Sequence, residues 1–378
     1  MTNIDETVLR REEEAKLRLR ALYRSYGYAP FKMSKFEEYD LYVRNKDFLI
    51  SDSVITFTDT DGKLLALKPD VTLSIIKNSR TLPGETRKVC YDENVYRISD
   101  STHAYREIPQ VGLECIGTID GYQQSEVVYL AARSLAVLSE DYLMDISHLG
   151  MLSGALELTG GDRELHRRVL HAIGEKNADA IRAMAAANEI TAAAADTLIA
   201  LLSCDGMLTA VLPTLPALCV NDTMWEALRE LCALADALAC DEDILSHLRL
   251  DFSVVNNMKY YSGIVFQGFV EGIPASVLSG GRYDHLMRRM GQNAGAIGFA
   301  VYPELLQRLR DDAHTDYDAD VLLLYSTEDE PAAICRAVRT LTEAGERVLT
   351  AHERPEKMAF RRTLRMAQGG VAADEAHD

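Results

Sequence analysis

The chain has 378 residues, 47% apolar and 26% charged, a composition typical of globular proteins rather than disordered or fibrous ones. Lys and Arg number 40 against 58 Asp and Glu, so the formal net charge is −18, which disfavours nucleic acid as a partner. Seven cysteines without a C-x-x-C pair predict free thiols, and no signal peptide or long apolar run is present. We therefore expect a cytoplasmic protein of two or three domains that does not contact a membrane.

Residues 1–150 show a mixture of helix and strand signals. Charged and apolar positions predict an amphipathic helix over 5–26, and the Asp61–Gly62 turn predicts a hairpin of strands 52–58 and 63–67. A helix is expected from Asp70, and β-rich runs predict strands at 88–96 and 110–116, separated by a long loop over 97–109. A helix over 124–139 and a strand near 142–146 follow.

The remainder of the chain predicts a helical insertion and a small terminal module. Residues 150–248 are rich in Ala and predict helices interrupted at Pro213 and Pro216. Strands are expected at 249–255, 261–270, 276–278 and 296–301, with a helix over 283–290. The acidic composition of 311–318 predicts a linker, which separates a domain over 1–310 from an α/β module over 319–367. That module is expected to contain strands at 319–325 and 347–350, helices at 331–344 and 356–366, and a disordered tail at 368–378. The fold class is α+β.

Two polar clusters lie in the first half of the chain. The first, Lys68 to Thr72, is consistent with an ordinary helix start, in which Asp70 is favourable at the positive end of the helix dipole. The second runs from Arg97 to Glu114, and its Gln110 and Glu114 share one strand face because side chains alternate along a strand. That face could equally be the solvated side of a sheet.

The sequence contains no P-loop, G-x-S-x-G, H-E-x-x-H or G-x-G-x-x-G motif. Two further polar clusters lie between residues 256 and 300. The third cluster begins N-N-M-K at Asn256 and ends in the pair Tyr260 and Tyr261, which could be packing residues with solvated hydroxyls. The fourth, S-G-G-R-Y-D over 279–284 with A-I-G-F-A over 296–300, could be only a tight turn.

In this order and spacing the four clusters resemble class II histidyl-tRNA synthetase and its paralogues, over residues 10–310. The corresponding synthetase motifs read R-P-E-G-T, G-R-Y-R-x-F-x-Q-x-G-x-E, R-G-L-D-Y-Y and G-G-R-Y-D. The resemblance implies a class II antiparallel sheet flanked by helices, with the Ala-rich block at the family's insertion domain.

The chain departs from the synthetase pattern at positions that handle ATP. Asn256 stands where the family has an arginine that helps activate the amino acid, and Leu305 stands where an arginine clamps the ATP phosphates. Arg97 matches the first arginine of motif 2, but Ser99 replaces the glutamate two residues later. Adenylate formation requires fixed positive charge at the reacting phosphate, so the resemblance implies a chain without catalytic residues. The nine His residues show no metal-ligand spacing, and no metal or cofactor is expected.

The amino-acid pocket of the family is retained. The resemblance implies that Asp70, Thr72 and Gln110 hold the α-amino group of histidine, although Asp70 is one methylene shorter than the family's glutamate. Glu114 and Tyr261 match the residues that hold the imidazole, whose N–H requires an acceptor. The full candidate histidine-binding set is Asp70, Thr72, Arg97, Gln110, Glu114, Tyr260 and Tyr261.

Some fifty to sixty residues follow the predicted linker, enough for half of the synthetase's anticodon-binding domain. A retained histidine pocket, a lost ATP clamp and this truncated domain resemble one paralogue family, the regulatory subunits of ATP phosphoribosyltransferase. This resemblance implies a hetero-oligomer with a short-form catalytic subunit, in which histidine acts as a feedback inhibitor of the first step of histidine biosynthesis. It also implies a homodimer through residues 28–42, where motif 1 belongs, although Ser34 replaces the family's proline. The alternatives are a histidine-activating class II enzyme and an RNA-associated synthetase paralogue.

Overall fold

The computed structural model describes residues 9–45, 54–79, 84–99, 102–255, 260–309, 317–367 and 370–373. The chain divides into two compact units, Met1–Leu309 and Arg310–Asp378. Residues 311–316 of the predicted linker lie outside the described ranges. Within those ranges no helix combines the length and apolar character needed to cross a membrane.

The first unit contains twelve strands within its described residues. They are β1 (Ala29–Pro30), β2 (Phe36–Glu38), β3 (Thr56–Thr58), β4 (Leu64–Leu67), β5 (Thr86–Ile98), β6 (Tyr105–Gly117), β7 (Tyr142–His148), β8 (Gly206–Met207), β9 (Leu248–Leu250), β10 (Ile264–Val270), β11 (Leu278–Arg282) and β12 (Gly295–Val301). Nine of them form one sheet in the order β1-β5-β6-β12-β11-β10-β7-β9-β8, and the others form a small sheet ordered β2-β4-β3. Pairing is antiparallel except for β1 with β5 and β7 with β9. The predicted α+β class with an antiparallel sheet is confirmed.

Twelve α-helices accompany these strands in the described part of the first unit. They are α1 (Arg11–Ser25), α2 (Tyr39–Arg44), α3 (Val71–Asn78), α4 (Gly121–Leu138), α5 (Leu149–Glu157), α6 (Arg163–Gly174), α7 (Ala178–Ala186), α8 (Ala192–Ser203), α9 (Leu208–Val211), α10 (Asp222–Leu238), α11 (Glu242–Leu245) and α12 (Asp284–Arg289). Helix α4 begins with a capping box, in which Asp120 accepts from the backbone N–H of Gln123 while the Gln123 side chain accepts from the N–H of Asp120. Helices α1 and α4 pack together on the main sheet, and the buried hydroxyls of Tyr23 and Ser134 share a hydrogen bond of 3.0 Å.

The Ala-rich segment forms helices α5 to α11, with a 3-10 helix at Leu212–Leu218 where the prolines fall. The short strand β8 also lies in this segment, which was predicted to be wholly helical. One ion pair connects the segment to the end of β9, since Lys176 Nζ lies 2.8 Å from Asp251, and Lys176 also pairs at 2.6 Å with Asp205 inside the segment. Beside them, Arg249 donates two hydrogen bonds of 2.7 and 2.8 Å to Asp145.

Three predicted boundaries in the first unit are wrong. The long loop over 97–109 is instead mostly strand, because β5 and β6 continue to pair as far as Ile98 opposite Tyr105 and so satisfy each other's backbone groups. The strand predicted over 249–255 ends at Leu250, where the Asp251 carboxylate accepts from the N–H of Ser253 and forms a turn. The strand expected at 276–278 begins only at Leu278.

The second unit contains β13 (Ala319–Leu324), α13 (Pro331–Glu343), β14 (Val348–Ala351), β15 (Phe360–Ala367) and β16 (Gly370–Ala373). Its sheet order is β14-β13-β15-β16, with β13 parallel to both β14 and β15. The helix predicted over 356–366 is wrong, since most of that segment is strand β15. Strand β16, within the segment expected to be disordered, pairs antiparallel with β15.

Candidate functional site

Strand β6 supplies the floor of a buried cavity in the first unit. Gln110, Gly112 and Glu114 alternate along the strand, and Gln110 and Glu114 are 4% and 2% exposed. A side chain at Gly112 would meet the Phe299 carbonyl oxygen at 2.2 Å, so only glycine leaves room between them. This face of β6 is therefore buried and polar, and the solvated-face alternative is wrong.

The N-terminus of α3 forms one wall of this cavity. The buried Asp70 is the N-cap, and its carboxylate accepts a 2.8 Å hydrogen bond from the backbone N–H of Leu73. Thr72, in the first turn, donates its hydroxyl to Glu114 Oε1 at 2.7 Å. The plain interpretation of this segment as a helix start is thus correct, and the same start brings Asp70 and Thr72 into the cavity.

Glu114 is the centre of the hydrogen bonding. Besides the bond from Thr72, Tyr283 donates its hydroxyl to Glu114 Oε2 at 2.5 Å. Burial raises the pKa of the Glu114 carboxyl to about 8, although the hydroxyls of Tyr283 and Thr72 pull it down. A carboxyl that keeps its proton near neutral pH can donate to a bare imidazole nitrogen or, once ionised, accept from an imidazole N–H.

Three of the tyrosines that line the cavity lie ring against ring. The rings of Tyr260 and Tyr261 lie edge to face with centroids 4.8 Å apart, and Tyr260 lies 5.6 Å from Tyr283. These rings and their hydroxyls give the cavity flat walls with polar ends, which suits a planar polar ring.

Arg97 brings positive charge to the cavity. Its Nε donates to the Pro69 carbonyl oxygen at 3.0 Å, which fixes the guanidinium beside the start of α3. Burial raises the pKa of the Asp70 carboxyl. Three nearby groups oppose that rise: the backbone N–H of Leu73, the charge of Arg97 and the backbone N–H of Thr72. Opposite charges thus lie near each other, as recognition of a zwitterion requires.

All seven residues of the predicted histidine-binding set line this one space, which we call the inner cavity. Its volume is 50 Å³, which is room for about three to five waters. No role was predicted for four further polar side chains of the lining, although Ser279 and Tyr283 stand in a quoted motif: Tyr91, Ser279, Tyr283 and Tyr302. The inner cavity thus suits a molecule of amino-acid size.

A larger space, which we call the outer chamber, adjoins the inner cavity and shares four lining residues with it: Arg97, Tyr261, Ser279 and Tyr302. Its volume is 550 Å³, and Leu305 is part of its wall. Among the described residues that line either space, Arg97 is the sole Lys or Arg. Asn256, the other arginine replacement, lies outside the described ranges.

The described ranges contain no group of three or more His, Cys, Asp and Glu side chains that could hold a metal ion. The polar groups of the inner cavity are carboxylates, hydroxyls, an amide and one guanidinium. These groups can recognise an ammonium, a carboxylate and a ring N–H by hydrogen bonds and charge.

Comparison with known proteins relates the chain to histidyl-tRNA synthetase and to ATP phosphoribosyltransferase regulatory subunits. A family model for histidyl-tRNA synthetase matches residues 1–306. The ATP phosphoribosyltransferase regulatory subunit of Lactococcus lactis subsp. cremoris (strain SK11) is 30% identical over 308 residues, which are 80% of this chain and 93% of that protein.

Solved structures show the same fold. An ATP phosphoribosyltransferase regulatory subunit/histidyl-tRNA synthetase from Bacillus halodurans superposes with a TM-score of 0.72 at 23% identity, covering 90% of this chain and 88% of that one. A chain of the ATP phosphoribosyl transferase (HisG:HisZ) complex from Thermotoga maritima superposes with a TM-score of 0.61 at 18% identity, covering 80% and 98%. The predicted class II synthetase-like fold is confirmed.

Proposed function

The chain belongs to the histidyl-tRNA synthetase-like family of ATP phosphoribosyltransferase regulatory subunits, and from this we propose that it is the non-catalytic, histidine-sensing subunit of such a transferase. The observation that carries the proposal is the contrast between the two adjoining spaces. The inner cavity holds every residue of the histidine-binding set, whereas the outer chamber, where the family binds ATP, has Leu305 in its wall and Arg97 as its sole described cation.

We propose one orientation for histidine in the inner cavity. Its imidazole lies against Glu114 and Tyr261, with the ring of Tyr260 beside it, and its ammonium lies against Asp70, Thr72 and Gln110. The carboxylate is directed to Arg97, because that guanidinium is the sole described cation in the lining. Each charged end of the ligand then has a partner of opposite sign.

Titration calorimetry tests this assignment directly. We expect Glu114→Ala to weaken histidine binding by about ten- to a hundredfold, because a hydrogen bond to a charged group contributes about 1.5–3 kcal/mol. Glu107→Ala is the matched control, since Glu107 lies on the same strand but is exposed and bonds to Asn94 and Tyr96. Equal affinity of wild type and Glu114→Ala would place the histidine site elsewhere.

We further propose that the chain does not activate histidine. Positive charge must stabilise the phosphate at which adenylate forms, and a single guanidinium is available among the described lining residues. Histidine-dependent ATP–pyrophosphate exchange is therefore expected to stay at the no-enzyme rate. A rate that rises with histidine would favour the alternative, a histidine-activating class II enzyme.

Assembly with a short-form catalytic subunit is the third part of the proposal. Reconstitution should yield condensation of ATP with phosphoribosyl pyrophosphate only when both chains are present, and histidine should inhibit it. Because linkage makes binding and inhibition reciprocal, Glu114→Ala should raise the inhibition constant for histidine, whereas Glu107→Ala should not. Unchanged inhibition of the Glu114→Ala complex would exclude the inner cavity as the regulatory site.

The chain is also proposed to form a homodimer in the cytoplasm. Phe36, within the predicted 28–42 interface, and Phe57 lie on one face of the small sheet, 51% and 36% exposed, with ring centroids 5.4 Å apart. Exposed paired aromatic rings are typical of interaction surfaces. Sedimentation equilibrium should give a dimer for wild type and a shift toward monomer for Phe36→Glu. A wild-type monomer at micromolar concentration would contradict the proposal.

A further inference from the structure

The segment that carries Tyr261 forms neither helix nor strand before β10 begins. Side chains in such a segment depend on contacts with other parts of the chain for their position, because no backbone ladder fixes them. Ser262, the next residue, supplies two such contacts. Its backbone N–H donates to the Arg282 carbonyl oxygen at 2.7 Å, and its hydroxyl accepts a 2.9 Å hydrogen bond from the backbone N–H of Asp284.

The turn that receives both hydrogen bonds of Ser262 joins β11 to α12 and is itself tied to β12. The N–H of Tyr283 donates to the Ala296 carbonyl oxygen at 2.8 Å, and Asp284 Oδ1 accepts from the N–H of Ala296 at 3.0 Å. The other carboxylate oxygen of Asp284 accepts from Arg282 Nε at 2.9 Å. The turn is therefore a firm support for the segment that Ser262 attaches to it.

Ser262 is half-buried and lines neither the inner cavity nor the outer chamber. It can therefore affect a bound ligand only through its neighbours. Tyr261 lines the inner cavity, and Tyr283, on the supporting turn, donates its hydroxyl to Glu114. The bond between Ser262 and Asp284 thus joins two tyrosine-bearing segments across 22 positions of the chain.

We propose that Ser262 is a positioning residue for the imidazole of histidine, which acts by fixing the Tyr261 hydroxyl relative to Tyr283 and Glu114. The inference rests on the proposed function, because it uses the contact of the imidazole with Tyr261. Hydrogen bonds weaken steeply when donor and acceptor move out of line, so a small shift of the Tyr261 hydroxyl costs affinity although no contact with the ligand is deleted. Loss of the Ser262 hydroxyl removes the acceptor of the Asp284 N–H and lets the segment shift.

A double-mutant cycle on the full chain, measured by calorimetry with histidine, tests the inference. We expect Ser262→Ala to weaken histidine binding about three- to tenfold, the effect of one hydrogen bond between uncharged groups. In a Tyr261→Phe background the same change should cost less than about twofold, because the hydroxyl that Ser262 positions is already absent. A purely structural role would weaken histidine binding by the same factor in both backgrounds, or not at all, and either result would overturn the inference.

Ser134→Ala is the matched control, since the Ser134 hydroxyl is also hydrogen-bonded, to Tyr23, but lies on α4 outside the lining of both spaces. It should leave histidine affinity within about twofold of wild type. A loss in this control equal to that of Ser262→Ala would overturn the inference, because it would show that any buried serine has the effect.

Two further variants carry the test if Ser262→Ala unfolds. Ser262→Thr keeps the hydroxyl and should bind histidine within about twofold of wild type, whereas Ser262→Val has the shape of threonine without the hydroxyl and should bind about three- to tenfold more weakly. Equal affinities of these two variants would overturn the inference and leave the proposed function standing. Failure of wild type to bind histidine would refute the proposed function and with it this extension.

Discussion

Glu114 is a buried carboxyl whose protonation should couple the stability of the chain to pH. Its folded pKa of about 8 lies above its unfolded value, so the folded chain retains a proton that the unfolded chain releases. The free energy of unfolding that Glu114 contributes is fully present below its pKa in the unfolded chain. It is lost as the pH rises through its pKa in the folded chain. Between pH 5 and 8 the unfolding free energy should therefore fall by up to about 1.4 kcal/mol per pH unit from this group.

Glu114→Gln is the variant that isolates this effect, because an amide of the same shape does not titrate. In urea unfolding without ligand, the stability of wild type relative to Glu114→Gln should decrease from pH 5 to pH 8. Asp70 is also buried with a raised pKa, but it is present in both proteins, so the difference removes its own titration and leaves only its charge interaction with Glu114. A pH-independent difference would mean that Glu114 is already ionised in the empty cavity.

Gly298 is required by the position of the same carboxylate. A Cβ at this residue would lie 1.8 Å from Glu114 Oε2 and 2.4 Å from the Leu113 carbonyl oxygen, and that backbone atom cannot move aside. We expect Gly298→Ala to destabilise the fold by about 1–3 kcal/mol and to displace Glu114. Gly121→Ala is the control, since nothing lies within 4 Å of its Cβ at the start of α4. Urea unfolding that ranks the two variants equally would contradict this.

At the scale of residues, the sequence predicted the ligand-facing polar groups but not what holds them. The resemblance to a known motif identified Glu114 and Thr72, yet their mutual hydrogen bond depends on how α3 packs against β6. Tyr283 was visible only as part of a turn motif, and its bond to Glu114 spans 169 positions in the chain. Pairings at such separations follow from the tertiary fold, which local patterns in the sequence do not reveal.

At the scale of elements, the start of α3 combines a structural and a binding role in Asp70. We expect Asp70→Ala to lower stability by about 0.5–2 kcal/mol, because the cap of α3 is lost, and to weaken histidine binding as well. Asp70→Asn keeps a capping oxygen but removes the charge, so it should unfold like wild type and still bind histidine more weakly. Urea unfolding and calorimetry on both variants separate the two roles. Wild-type affinity in Asp70→Asn would show that the carboxylate serves only as a cap.

The elements that sequence periodicity predicted well are those with strong local signals, such as α4 with its capping box. The segment around β15 shows the opposite case. Met, Arg, Leu and Ala favour a helix there, but Phe360 and Thr363 become buried when the strand pairs with β13. Tertiary pairing therefore overrides the local propensity. The extension of β5 and β6 beyond their predicted ends has the same cause, since each strand satisfies the backbone of the other.

At the scale of the whole molecule, the inner cavity is assembled from distant parts of the chain. Its lining runs from Asp70 to Tyr302 and includes residues of α3, β5, β6, β11 and β12. The helical segment from α5 to α11 is inserted between these parts. Asp205 of this segment lies 3.6 Å from Arg249 in β9, and Lys176 lies 2.8 Å from Asp251, the residue after β9. The site thus exists only in the complete first unit, which is why composition and local pattern alone could not have located it.

The charge of the whole chain leads to the last prediction, on nucleic acid. With 40 basic and 58 acidic residues, the chain should repel a phosphate backbone, so tRNA binding should be no tighter than about 10 µM at roughly 0.15 M salt. Filter binding of histidine tRNA, with a histidyl-tRNA synthetase as positive control, measures this.

In the described part of the second unit, strand β15 carries three basic residues close together in sequence, Arg361, Arg362 and Arg365. The Arg362 guanidinium is paired with the Glu346 carboxylate. A submicromolar complex that weakens with salt would contradict the prediction and favour the RNA-associated alternative. Neutralising Arg361 would then test whether β15 is the surface responsible, because a lost phosphate contact lowers the salt dependence of the affinity by about one charge.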